Sequence, residues 1–323
     1  MSERTTATYA GRSACPNCAG HDNTRYVQKR INERHYDIVQ CQRCGLLHLL
    51  DMPTADELTA FYNSPDYFEG SDRGYTGNYL RQRASIEHDS LRRLSQIEHE
   101  VSRMAVDPER RILDIGCAAG FFLSVAQSRG WSVHGIELSH EMALHACQLL
   151  GVDIQDTFDP NVFAAGSFTA ITLWEVIEHL TDPLTTLRHV YGLLRPGGMI
   201  ALSTPNTGHW HAQRKPEWWS EFKPPAHVVY FTEATLRDML ARAGFTQVAI
   251  VRTRRLAISP RTLMQLRHLR HIIGDGAYRR TLLWPLTSLT YRAASAVAGA
   301  LRRVRYPADD LHVGLEAYAL KPM

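Results

Sequence analysis

The chain has 323 residues, 44% of them hydrophobic and 21% charged, with a formal net charge of +3. That length suits one large domain plus a small one, and the composition is that of an ordinary globular protein. So small a net charge gives no case for a nucleic-acid or membrane partner, although residues 252–305 hold twelve arginines, no lysine and one acid, Asp275.

The start of the chain is polar and lacks the apolar run of a secretory leader. The most apolar later stretch, 282–301, is broken by Trp284-Pro285 and Arg292, so no membrane-spanning segment is expected. A cytoplasmic location follows as an expectation. The six cysteines then point to a metal or free thiols rather than to disulfides.

Residues 11–50 carry Cys15-Pro-Asn-Cys18 and Cys41-Gln-Arg-Cys44-Gly45, two Cys-x-x-Cys pairs separated by 22 residues. Each pair offers two thiolates from one tight turn, and two such turns complete a tetrahedral zinc site. Filled by four sulfurs, the ion is structural, and the segment reads as a small zinc ribbon. Its basic residues Arg25, Lys29, Arg30 and Arg34 are interleaved with Asp22, Glu33 and Asp37, which argues against a nucleic-acid reader. Cys117 and Cys147 fall outside the pattern and read as small buried side chains.

Residues 51–110 read as a helical lead-in that covers the active site. Thr54-x-x-Glu57 after Pro53 is a capping-box start, and 80–101 carries apolar residues at helical spacing. A Tyr/Gly-rich stretch, from Tyr67-Phe68-Glu69-Gly70 to Gly74-Tyr75 and Tyr79, lies between them.

From Arg111 strands and helices alternate, the pattern of a parallel α/β sheet with crossover helices. Strands are expected at 112–115, 132–137, 152–154, 168–174, 199–204, 246–252 and 312–320. Helices are expected at 121–127, 142–149, 184–194 and 233–243, the last stopped by Gly244. Residues 256–305 interrupt the pattern, and Leu263, Leu266, Leu269, Ile272 and Ile273 give that insertion an amphipathic helical character.

Two clusters carry the chemistry. The first is Arg111-Ile-Leu-Asp114-Ile-Gly116-Cys117-Ala-Ala-Gly120-Phe121, a short apolar strand running through a glycine turn into a helix. Gly116 and Gly120 let the backbone come close to a bound nucleotide. Glu137, 21 residues after Gly116, ends the next strand, where a carboxylate can accept both ribose hydroxyls. The G-x-G-x-x-G of dinucleotide dehydrogenases is absent.

This combination resembles the class I S-adenosylmethionine-dependent methyltransferases, over residues 111–250 and on to the last strand. The resemblance implies a Rossmann-like, seven-stranded sheet with helices on both faces across 111–323. It implies S-adenosylmethionine as cofactor, with Asp114 opening the loop that holds the methionine part. Glu137 would bind the ribose and Asp156 would lie beside the adenine. Gly116, Cys117, Gly120, Phe121, Leu138 and Trp174 are assigned to the same cofactor site. Where the family often has a middle glycine this chain has Ala118, which implies a tighter loop.

The second cluster is Glu175-Val-Ile-Glu178-His179, at the end of the fourth strand, followed much later by Pro224-Pro225-Ala226-His227. Two carboxylates and an imidazole suit a divalent ion with open positions. The set resembles the small-RNA 2′-O-methyltransferases and the ubiquinone-pathway O-methyltransferases. In both groups it implies a magnesium-type ion that grips the acceptor, here on Glu175, Glu178, His179 and His227. Glu175, His179 and His227 are then the candidate catalytic residues. The turn 194–198 stops a helix and receives no chemistry.

Between the two halves of this cluster runs a loop with Trp210, Arg214, Trp218, Trp219 and Lys223, and Tyr230 follows it. So many aromatics need burial, either as core under a long loop or as an aromatic wall for the acceptor. The expected reaction is methyl transfer to a metal-held small molecule, by O-methylation of a diol or catechol. C-methylation of an isoprenyl diphosphate such as geranyl diphosphate is the alternative, with Arg214 or Lys223 on the diphosphate, Trp210 or Trp219 on the cation and Glu175 as base. RNA 2′-O-methylation is a further alternative. A zinc-dependent assembly protein with a relict cofactor site is the non-enzymatic one. The arginine-rich segment reads as a cover for the pocket, a contact for a homo-oligomer, or a rest on an anionic membrane.

Overall fold

A computed structural model describes residues 8–9, 13–31, 33–64, 79–102, 109–255 and 310–323. The helical insertion expected at 256–305, with any oligomer contact it makes, and the Tyr/Gly-rich residues from Tyr67 to Tyr75 lie outside the described residues.

The N-terminal module is an antiparallel hairpin, β1 (Asn23–Ile31) and β2 (Arg34–Cys41), with β3 (Leu47–Leu49) beside β2. The lead-in holds α1 (Ala55–Tyr62) and α2 (Arg83–Ser102). Helix α1 starts on the capping box read from the sequence: the Glu57 N–H donates to Thr54 Oγ1 at 3.2 Å, and the Thr54 N–H donates to Glu57 Oε2 at 2.9 Å.

The large domain runs β4 (Arg111–Ile115), α3 (Phe121–Ser128), β5 (Ser132–Ile136), α4 (His140–Leu150), β6 (Ile154–Gln155), β7 (Phe168–Trp174), α5 (Pro183–Leu193) and β8 (Leu194–Pro205). It continues with α6 (Trp210–Arg214), β9 (Val229–Tyr230), α7 (Glu233–Arg242), β10 (Thr246–Arg255) and β11 (His312–Leu320). Seven strands form one sheet in the order β10-β11-β8-β7-β4-β5-β6. Strand β11 pairs antiparallel with both neighbours, while β8-β7-β4-β5-β6 pair parallel. The order turns outward from β4 and β7, so the carboxyl ends of those strands open a crevice at the switch point.

Alternation along the central strands fills both faces. Ile112, Ala170, Met199 and Ala201 pack with α2 and α3, whereas Leu113, Ile171, Ile200 and Leu202 join a core that includes α5, α7 and the N-terminal module. A sheet covered on both sides reads as continuous apolar runs, as 168–174 and 199–204 do. One stretch departs from expectation. Arg195-Pro-Gly-Gly198, expected as a turn, forms the irregular start of β8, with Gly197 at φ +75° and a register shift against β7. No described helix is long and apolar enough to cross a membrane.

The N-terminal module is stitched to the large domain. Strand β3 pairs with β9, so four strands form a second sheet in the order β1-β2-β3-β9. The Tyr26 hydroxyl donates to the Ala212 carbonyl at 3.0 Å, and the Lys29 ammonium donates to the Glu217 carbonyl at 2.9 Å.

Candidate active site and metal centres

The cofactor loop leaves β4 at Gly116, where φ is +74° and a Cβ would stand 2.5 Å from Val176 Cγ2. Only glycine fits there. The N–H groups of Gly116 and Cys117 both donate to the Ile136 carbonyl, at 2.8 and 3.0 Å, fastening the loop across β5. Ala118 also takes a left-handed backbone, φ +46°, which explains why glycine suits the position. That conformation costs an alanine about 1–2 kcal/mol. The Ala118 N–H donates to Glu137 Oε2 at 2.8 Å and the Ser139 N–H to Glu137 Oε1 at 2.8 Å, so the buried Glu137 ties the loop to the next strand end.

Asp114 is buried at the root of the loop and accepts from Thr172 Oγ1 at 2.6 Å. Burial pushes its carboxyl up to about 7, against the Thr172 hydrogen bond and the charge of Arg93.

Two cavities flank this loop. One, of about 390 Å³, is lined by Glu137, Leu138 and Asp156 on one side and by Leu58, Tyr62 and His179 on another. The second, of about 370 Å³, is lined by Tyr79, Arg92, Arg93, Asp114 and Glu316. They meet at Gly116, Ala118, Trp174 and Glu175.

Arg93 and Tyr62 line these cavities and were not singled out in the sequence. The Arg93 guanidinium lies 4.3 Å from the centre of the Trp174 ring and donates to Glu316 at 3.0 Å. Arg92 grips the same carboxylate with two bonds, at 2.6 and 2.8 Å. Burial opposes ionisation of Glu316, but the two guanidinium groups hold it below its ordinary value. The available signal was Glu316 itself, an acid inside the apolar run 311–320, which needs a cation.

The acceptor side turns on Glu175, which follows β7 with φ +57°. Its N–H donates to the Ser203 carbonyl at 3.0 Å and to Ser203 Oγ at 3.1 Å, pinning a conformation that costs a non-glycine residue of order 1–3 kcal/mol. The chain therefore does not continue as one helical turn. A 3-10 turn spans Ile177–His179 instead, and among the described residues Glu178, His179 and His227 gather with one ligand atom of each within 4.8 Å. Glu175, expected as a fourth ligand, is not in that group; it lines both cavities, and its charge acts on Glu178 and His179.

The two histidines are set as metal ligands are. His179 Nδ1 lies 2.9 Å from the Ala226 carbonyl and His227 Nδ1 lies 2.9 Å from the Glu221 carbonyl. A carbonyl only accepts, so both Nδ1 atoms carry hydrogen and both Nε2 lone pairs are left for a ligand. The Tyr62 hydroxyl, from α1, lies 2.6 Å from the same His179 Nδ1. Burial first, with Lys223 and for His179 also His227, lowers both imidazoles to about 3, which keeps them neutral. Neither Glu178 carboxylate oxygen has a hydrogen bond of good geometry; the buried Thr204 hydroxyl beside it opposes the rise, but burial and then the charge of Glu175 push this group well above the usual carboxylate range. A neutral imidazole pair facing an unsatisfied carboxylate fits a divalent ion.

The aromatic loop does not line these cavities as an acceptor wall. Trp210, Trp219 and Tyr230 are buried: Trp219 stacks on His209 with ring centres 4.7 Å apart, and the Tyr230 hydroxyl donates to the His227 carbonyl at 2.6 Å. Trp218 is 63% exposed, Arg214 is exposed, and Lys223 pairs with Glu221 at 3.1 Å. Packing under the loop takes the rings because β1 lies against α6 and the turn after it.

The four cysteines gather as their spacing predicts. Cys15 and Cys44 have sulfurs 3.5 Å apart, as do Cys18 and Cys41, and all four ligand atoms lie within 4.8 Å of one another. The two turns repeat each other. The Cys15 N–H donates to the Gly20 carbonyl and the Ala19 N–H to Cys15, while the Cys41 N–H donates to Leu46 and the Gly45 N–H to Cys41. This donor set fits a tetrahedral zinc ion.

Residues 86–250 match a family model described as a methyltransferase domain. Ubiquinone biosynthesis O-methyltransferase of Xanthomonas campestris is 35% identical over 118 residues, covering 34% of this chain and 49% of that protein. The protein of the same name from Pseudomonas aeruginosa is 32% identical over 105 residues, covering 30% of this chain and 45% of that protein. The chain thus spans about half the length of the curated relatives it matches. A SAM-dependent methyltransferase from Archaeoglobus fulgidus aligns with a TM-score of 0.49 at 16% identity, covering 79% of this chain and 98% of that one. Phosphoethanolamine N-methyltransferase 2 of Haemonchus contortus, solved with S-adenosyl-L-methionine, aligns with a TM-score of 0.49 at 16% identity over 92% of this chain and 71% of that one.

Proposed function

The chain belongs to the methyltransferase-domain family as a class I S-adenosylmethionine-dependent enzyme, and from that premise we propose that it methylates an oxygen of a small diol or catechol held by a divalent ion. The observation that carries this reading is the unsatisfied, buried Glu178 carboxylate opposite two imidazoles whose Nδ1 atoms are taken by carbonyls. The names of the relatives support oxygen as the acceptor atom.

Glu137 accepts from the ribose, Asp156 lies on the adenine side, and Arg93 with Asp114 addresses the amino-acid end. Glu178, His179 and His227 would hold the divalent ion, and the four cysteines would hold a structural zinc. When bound, the cofactor supplies a sulfonium methyl and the divalent ion lowers the pKa of an acceptor hydroxyl. Glu175, at the junction of the cavities, would take the proton that the acceptor oxygen gives up on methylation. Leu58, Phe158 and Leu180 give the body of the acceptor an apolar bed.

C-methylation of an isoprenyl diphosphate shares the ion and the apolar bed. It also needs Trp210 or Trp219 beside the reacting carbon, and neither ring lines the cavity. Metal analysis with manganese titration tests the reading: about one zinc per chain, the stoichiometry of a four-sulfur site, and one exchangeable Mn²⁺ that His179→Ala abolishes. Wild-type binding of Mn²⁺ by His179→Ala would refute it.

A further inference from the structure

The N-terminal module reaches the acceptor site through one short path. Cys44 lies three residues before Leu47, where β3 begins, and β3 pairs with β9 as Leu47↔Tyr230 and His48↔Val229. Immediately before β9, the Leu49 N–H donates to the Val228 carbonyl at 2.9 Å and the Val228 N–H donates to the Glu178 carbonyl at 2.8 Å. Val228 is fully buried, so neither bond has water as a substitute. His227, the neighbour of Val228, thus hangs on a segment clamped between the four-cysteine module on one side and the backbone of another ligand, Glu178, on the other.

The cofactor loop is built differently. Asp114 lies on β4, Gly116 directly after it and Glu137 directly after β5, with Ile136 and Thr172 of the large sheet fastening the loop and Asp114. Besides the β3–β9 pairing, hydrogen bonds of the module among the described residues reach Glu57, Ala212, Glu217, Trp219, Val228 and Asp238.

We propose that the ion held by the four cysteines positions His227: it fixes β3, β3 holds residues 227–230, and the acceptor centre is complete only when the module is metal-loaded. This makes Leu49 and Val228 positioning residues, acting through their backbones. The proposal rests on the zinc reading of the cysteines and deepens the metal reading of Glu178, His179 and His227.

Hydrogen exchange on the full chain tests it without relying on turnover. The reference is zinc-loaded wild type with no added divalent ion, compared with Cys44→Ser, with Cys44→His, which keeps a zinc ligand, and with wild type stripped by chelator and then reloaded. Losing the support of two backbone hydrogen bonds is expected to speed exchange in 226–231 by roughly tenfold or more in the stripped protein and in Cys44→Ser. Residues 112–116 are expected to keep wild-type protection, and Cys44→His and reloading are expected to restore 226–231. Manganese affinity should fall and recover in parallel. Unchanged protection of 226–231 after zinc loss overturns the proposal. So does an equal loss across 112–116, since a general structural role moves both. Wild type with no zinc would refute the cysteine reading instead, and wild type with zinc but no manganese site would refute only the acceptor-metal reading, leaving exchange to decide the positioning.

Discussion

Burial of the Glu178 carboxyl carries a cost in stability. Neither carboxylate oxygen has a hydrogen bond of good geometry, with only the Thr204 hydroxyl as a neighbouring donor, and the residue is 1% exposed, whereas its backbone carbonyl is satisfied by Val228. An unsatisfied buried polar group costs about 1–3 kcal/mol, and more if charged. Glu178→Met keeps the length of the side chain, removes the polar atoms and leaves the backbone bond intact. In buffer free of exchangeable divalent ions the variant is therefore expected to be more stable than wild type by about 1–3 kcal/mol, a rise in melting temperature of roughly 2 °C or more. Added Mn²⁺ should reverse the order, because wild type gains about 2.7 kcal/mol at a hundred times its Kd and the variant gains nothing. Thermal melts of both proteins, with and without Mn²⁺ and with the zinc retained, give the four values needed. A variant that melts below wild type without Mn²⁺ would refute the reasoning, since Glu178 would then be a satisfied structural group.

Asp114 has a folded pKa raised from an ordinary 3.8 to about 7, so the folded chain keeps a proton that the unfolded chain has lost. Its contribution to stability should decline as pH rises from about 4 to about 7; Asp114→Asn is expected to flatten that part of a pH series of melts while weakening cofactor binding in calorimetry. Arg93→Leu is expected to weaken S-adenosylmethionine binding by roughly tenfold to a hundredfold, the loss of one hydrogen bond to a charged group, with the fold kept because Arg92 still pairs with Glu316. Unchanged affinity would remove Arg93 from the site. Gly116→Ala puts a Cβ against Val176 in a left-handed backbone, so a loss of at least roughly 1–2 kcal/mol is expected in melts, and adding Val176→Ala should recover the clash but not the backbone part.

The residues that spoke most clearly in the sequence were those whose chemistry is local. The strand–glycine–helix run at 111–121 and the two cysteine pairs announced the strand, the glycine turn, the helix and the gathering of the four sulfurs, because turns and strand ends are set by neighbours in the chain. What stayed hidden depended on distant partners. Tyr62 meets His179 across 117 positions, and Arg92 meets Glu316 across 224. The aromatics at 210–219 signalled burial but not direction; the pairing of β3 with β9 and the packing of β1 on the loop decide it. Glu175 takes a left-handed backbone and falls outside the group of Glu178, His179 and His227, which spacing alone does not announce.

The central claim is that a divalent ion on Glu178, His179 and His227 presents an acceptor oxygen to the cofactor. The most direct measurement is product analysis after incubation with methyl-labelled S-adenosylmethionine and a catechol, with Mg²⁺ or with chelator, in wild type and Glu178→Met. The account predicts label on a catechol oxygen only in wild type with Mg²⁺. Label on oxygen that persists in chelator or in the variant, or label found instead on the carbon of a prenyl diphosphate supplied in a parallel reaction, would contradict it.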